Sequence, residues 1–152
     1  MAIGKNGPGR ISGRCYCGAI AVSATQAPQV VAYCHCVDCR RASGAPVVAM
    51  AGFEEAAVTF TPREGRVASV NPGVIRSFCG SCGSPLASRF DYLPGQVYVP
   101  VGLLDQASEL APQVHSHDAQ RLPWLRIADD LERFAGTSRT RLVGGDAERA
   151  RP

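Results

Sequence analysis

Seven cysteines fall in three groups: Cys15 and Cys17, then Cys34, Cys36 and Cys39, then Cys79 and Cys82. The number is odd, so the thiols do not all pair as disulfides. Cys15-Tyr16-Cys17 is followed by Gly18, and Cys79-Gly-Ser-Cys82 by Gly83. In such a turn two sulfurs converge on one ion while the glycine permits the tight backbone path, and two turns supply the four thiolates of a structural zinc site. The middle group differs. Cys34 and Cys36 point to one side of an extended backbone while His35 points away, and Cys39 closes back toward them. Three sulfurs leave one tetrahedral position open, the pattern of a catalytic zinc. The alternative is a second structural zinc completed by His35, His115 or His117. A redox Cys-x-x-Cys is disfavoured because such motifs sit in a βαβ setting, which the sequence lacks.

Other side chains near these groups carry a functional and a bland reading. Arg40 and Arg41 follow the open site, where guanidinium forks hold a substrate carboxylate, cover thiolate charge, or simply face solvent. His115 and His117 alternate on an expected strand and share a face, suited to acid, base or ligand roles. Trp124 either walls the pocket or belongs to the core.

The elements that must hold these residues are mostly strands. Short β-rich runs bounded by Gly, Pro, Asn or Asp occupy 19–24, 29–34, 46–53, 57–61, 66–70, 74–79, 85–90 and 96–102,. Helix is expected only in brief pieces, "CVDCRRAS" (36–43) and "PWLRIADDLERF" (123–134),. The fold class is therefore mainly β. A chain of 152 residues with 45% apolar and 19% charged residues suits one compact domain,. Residues 1–10 and 137–152 read as disordered tails around a domain at 11–136.

No apolar run reaches the roughly 18 residues of a membrane span, and no targeting segment is evident, so a cytoplasmic protein without a membrane partner is expected. Reduced thiols in that compartment favour metal over disulfides. The formal charge of +3 assumes neutral cysteines. A four-thiolate and a three-thiolate zinc site carry net charges of about −2 and −1, so the chain loaded with two zinc ions is neutral. No nucleic-acid partner is expected.

"GRCYCGAIAV" (13–22), "YCHCVDCRRASG" (33–44), "FCGSCGSPL" (78–86), "VGLLD" (101–105) and a late His–Trp pair, His115 or His117 with Trp124, occur in an order that resembles the glutathione-dependent formaldehyde-activating enzyme family, which also contains a centromere-associated relative. The resemblance implies a β-tent of antiparallel sheets. It also implies a structural zinc on Cys15, Cys17, Cys79 and Cys82 and a catalytic zinc on Cys34, Cys36 and Cys39. The implied activity is that of a carbon–sulfur lyase acting on a thiol adduct such as S-hydroxymethylglutathione, with a small-molecule thiol such as glutathione as partner. The competing function is a non-catalytic zinc module for protein interaction.

Overall fold

The structure, a computed structural model, describes residues 9–143. Of the tails expected at 1–10 and 137–152, residues 1–8 and 144–152 lie outside the described residues. Among the described residues, eleven strands form two sheets. The smaller contains β1 (Ile11–Arg14), β2 (Ala21–Ala24) and β5 (Val58–Thr61), in the order β1-β2-β5. The larger contains β3 (Val30–Cys34), β4 (Val48–Glu54), β6 (Arg66–Ala68), β7 (Val74–Phe78), β8 (Pro85–Phe90), β9 (Gln96–Pro100), β10 (Val114–Ser116) and β11 (Glu132–Arg133). Its order is β11-β10-β3-β4-β9-β8-β7-β6. A seven-residue helix, α1 (Val37–Ser43), joins β3 to β4, and a short helix, α2 (Arg139–Leu142), follows β11.

The period-2 alternation of the larger sheet sends its two faces to different tasks. Val31, Ala51, Val97 and Val99 face one way and pack with Ile11 and Val22 of the smaller sheet, forming the main core. Val30, Ala32, Met50, Tyr98 and Val114 face the other way, under Leu93 and Leu142. Cys34 continues the register of Val30 and Ala32 and therefore lies on this second face,. Arg76 aligns with Ser88, and Ser88 with Tyr98, so these residues form a cross-strand row on it. Gly52 is paired with Tyr98, and a Cβ there would meet the tyrosine ring at 2.7 Å. The glycine thus gives the ring room to lie across β4.

Several expectations are corrected. The sheets are not wholly antiparallel, because β10 pairs in parallel with both β3 and β11. "PWLRIADDLERF" forms no helix. Backbone groups at its end join β10 instead, with the Phe134 amide donating to the His115 carbonyl. Trp124, Ile127, Ala128 and Leu131 are spaced for a helical stripe, but tertiary partners win, with Asp129 held by His115 and Glu132–Arg133 paired to β10,. The packed chain also continues beyond the boundary expected at 136, since Ser138 and Leu142 are buried and Leu142 joins the second core. β1, unmarked in the sequence reading, precedes Cys15 directly. No helix among the described residues is long and apolar enough to cross a membrane.

Candidate functional site

The two outer cysteine groups meet. Cys15, Cys17, Cys79 and Cys82 bring their sulfurs within 4.8 Å of one another, with Cys15 and Cys79 buried beside Ile20 and Leu86. The two turns match. Gly18 N donates to Cys15 O at 3.0 Å and Gly83 N to Cys79 O at 2.8 Å, with both glycines at positive φ. The Ile20 amide donates to the Cys15 sulfur at 3.3 Å. Cys15–Cys17 and Cys17–Cys79 sulfur separations are 3.6 and 3.8 Å. Thiolates about 2.3 Å from a tetrahedral zinc lie about 3.8 Å apart, so the spacing fits zinc and is far too long for a disulfide. The thiols do not ionise alike. Hydrogen bonds from the Ser84 hydroxyl and amide hold Cys82 down at about 5. The Ala19 amide lowers Cys17, but the adjoining Cys15 thiol and burial outweigh it and push Cys17 up to about 11. A cation is what lets four crowded sulfurs be thiolates together.

The middle group also assembles. Cys34 ends β3, Cys36 caps the N-terminus of α1, where its sulfur accepts from the Cys39 amide at 3.2 Å, and Cys39 lies buried in the first turn. Their sulfurs lie within 4.8 Å of one another, and no further His, Asp or Glu among the described residues comes that close to all three. Hydrogen bonds from Cys34 and then Cys39 hold the Cys36 thiol far below its ordinary value. The same hydrogen bond to Cys36, then Cys39 and burial, drives Cys34 far above it. One negative charge shared by three sulfurs is again a donor set suited to a soft cation.

His35 is turned away from the sulfurs, as the alternation requires, and is fully buried. Its Nε2 lies 2.8 Å from His115 Nδ1, and His115 Nε2 lies 2.9 Å from Asp129 Oδ2. An ionised Asp129 accepts from His115 Nε2–H, which leaves Nδ1 to accept from His35 Nε2–H. Burial, then the neighbouring His115, lowers the His35 pKa and keeps it neutral. With Asp118, 3.8 Å from His35 Nε2, these two histidines form a third group of potential metal donors. Asp118 is already paired with Arg133 at 2.9 Å, so this network reads as a hydrogen-bonded anchor behind the cysteine loop.

His115 and His117 do not share a face. His117 has φ 55°, a left-handed conformation uncommon for histidine, fixed by its amide donating to Gly136 O and its carbonyl accepting from Gln120 N,. That turn takes His117 off the strand and into a cavity with Cys34, Cys36 and Cys39.

The cavity encloses about 290 Å³ and lies against the three cysteines on the second face of the larger sheet. Neither Arg40 nor Arg41 lines it. Arg40 donates to the carbonyls of His35 and Gln120 and locks α1 to the chain, and Arg41 is exposed. Trp124 is 66% exposed and belongs neither to the cavity wall nor to the core. The cavity's guanidinium is instead Arg76, whose Nη1 donates to Ser88 Oγ at 3.0 Å and whose Nη2 lies 3.7 Å from Cys39 Sγ. Its signal in the sequence was an arginine between Val74 and Phe78 on an otherwise apolar strand face,. Tyr92 and Tyr98 complete one wall. Burial, aided by the adjoining cysteine group, pushes Tyr92 up to about 12, and burial raises Tyr98 as well. Both phenols therefore remain protonated.

Comparison with curated proteins finds no match. Among solved structures, the crystal structure of a Rhodobacter sphaeroides protein is similar in fold, at 19% identity over 62% of this chain and 87% of that one, with a TM-score of 0.50. Residues 10–120, a span containing every cysteine, match the family described as glutathione-dependent formaldehyde-activating enzyme. The chain belongs to the glutathione-dependent formaldehyde-activating enzyme family.

Proposed function

We propose that the chain is a zinc-dependent carbon–sulfur lyase acting on the adduct of a thiol and an aldehyde, the class that includes S-hydroxymethylglutathione, with one structural and one catalytic zinc. Cys15, Cys17, Cys79 and Cys82 would hold the structural ion, and Cys34, Cys36 and Cys39 the catalytic one. Bound at three thiolates, zinc supplies a Lewis acid that lowers the pKa of a thiol or polarises an aldehyde oxygen. The observation that carries this reading is the three-sulfur group opening on a cavity, with His35 and His115 engaged with each other behind it.

In the cleavage direction the C–S bond breaks, its electron pair stays on sulfur, and the hydroxyl oxygen gives up its proton as the carbonyl forms. His117, the imidazole in the cavity, is placed to take that proton and return it to the departing thiolate,. Arg76 beside Cys39 offsets negative charge on the sulfurs,. The protonated Tyr92 phenol offers a donor to the developing aldehyde oxygen, whereas Tyr98 gives its O–H to Gln96 Oε1 at 2.6 Å and contributes its ring,. The chain from buried His35 and His115 out to Asp129 holds the loop so that Cys34 and Cys36 face the substrate.

Elemental analysis of zinc-grown protein tests the reading, with two ions per chain expected. After cobalt substitution, the tetrahedral spectrum should change when a small thiol is added, because an outside sulfur enters the open position. A reproducible single ion, or a spectrum indifferent to every thiol, overturns it in favour of a structural module.

A further inference from the structure

We infer that the thiol partner of this chain carries an apolar alkyl or aryl body in place of a charged peptide; the inference rests on Cys34, Cys36 and Cys39 being the reacting centre. Among the described residues two cavities border this group, the first touching all three cysteines and the second Cys39. The first, of about 290 Å³, has Ala32, Met50 and Tyr98 at its floor and Val74, Phe90 and Leu93 in its walls. The second, of about 310 Å³, lies on the other side of Cys39, Met50 and Arg76, which border both, and is walled by Val48, Val70, Phe78 and Pro85. Both linings are mainly hydrocarbon, although Ser116, His117, Gln120 and Thr137 add uncharged polar groups to the first. The rim of the first cavity is mixed, with exposed Val37 and Tyr92 beside exposed Asp38 and Gln120.

Charge decides between the candidate bodies. A glutathionyl group brings two carboxylates, one ammonium and two amides, each of which needs a partner when it leaves water. Among the described residues Arg76 is the one arginine or lysine lining either cavity, and its donors already meet Ser88 and approach Cys39. Asp38 is the one carboxylate, and it accepts from Asn71 at 2.9 Å. Arg40 and Arg41, the natural readers of peptide carboxylates beside the cysteine loop, line neither space. An alkyl or aryl body asks for no such partners and buries against Phe90, Leu93 and Met50.

The test uses the cobalt-loaded full-length chain, titrated with ethanethiol, propanethiol, butanethiol, benzyl mercaptan and glutathione, with the cobalt absorption as readout. Affinity is expected to rise about three- to fourfold per added methylene, with benzyl mercaptan binding at least tenfold more tightly than glutathione. Val74→Glu, which places a carboxylate in the cavity wall, should flatten the chain-length dependence. Glutathione binding more tightly than every alkanethiol, or an affinity independent of chain length in the wild type, overturns the inference and leaves the thiol-binding metal site intact. A spectrum that no thiol alters removes that site's proposed role and the inference with it.

Discussion

Single cysteines in this chain carry different amounts of structure. Cys82 belongs to a four-sulfur group that joins the turn after β1 to the turn after β7, more than sixty residues apart in sequence. Cys82→Ser should remove one ion per chain and cost on the order of 4 kcal/mol, because metal binding there is folding free energy. Cys36 is also the N-cap of α1. Serine is a favoured N-cap, so Cys36→Ser should retain the helix and change stability by only about 1 kcal/mol while eliminating thiol binding and activity. Metal analysis with urea unfolding of both zinc-loaded variants separates the two roles. Equal losses of stability would mean that both groups are structural.

At the scale of elements, the cavity is a product of strand register. β4 and β9 are neighbours, and their pairing places Gly52 under the Tyr98 ring. Gly52→Ala inserts a methyl group where the ring lies, against a strand held on both sides. The ring must rise into the cavity, so a loss of about 2 kcal/mol is expected for the overpacking, together with weaker binding of the longer alkanethiols. Calorimetry and the cobalt titration would measure the two effects. An unchanged thiol profile would mean that Tyr98 does not form the cavity floor. α1 contributes differently, because its seven residues are held by caps and by Arg40 more than by an apolar stripe. Its task is to return Cys39 to the sulfurs of Cys34 and Cys36.

Across the whole molecule, acid sensitivity has a component independent of the metal sites. Glu64 receives both terminal guanidinium nitrogens of Arg89, at 2.8 and 2.9 Å, and a hydrogen bond from Ser77. Burial raises its pKa, but these partners outweigh burial and leave it lowered. A carboxylate whose folded pKa is depressed stabilises the protein above its unfolded value of about 4.3, and that contribution disappears as pH falls through the folded value. Asp129, lowered by its contact with His115 against the opposing effect of burial, acts in the same sense. Glu64→Gln is expected to cost about 2 kcal/mol at pH 7, given two charge-assisted bonds in a partly exposed pair. The difference from wild type should shrink toward zero near pH 3. Urea unfolding of both proteins at matched metal loading from pH 7 to pH 3 would show it, and a constant difference would assign the loss to packing.

Cysteine spacing, glycine placement and β-branched runs were legible without coordinates because each is a local rule. Two thiols and a glycine dictate a turn, and alternation dictates which side of a strand a residue takes. Thus Cys15, Cys17, Cys79 and Cys82 were read as one group, Cys34, Cys36 and Cys39 as another, and His35 as facing away from the latter. Arg76, Tyr98 and the apolar walls were not legible. They are brought to the cysteines by pairing between β3, β4, β9, β8 and β7, a chain of long-range registers that no short stretch encodes. His117 shows the same limit at one residue. Alternation alone places it beside His115, whereas hydrogen bonds to Gly136 and Gln120 hold it in a left-handed turn that sends it to the cavity. Chain-local sterics therefore determined which cysteines group as candidate metal ligands, and tertiary pairing decided what surrounds the three-cysteine group.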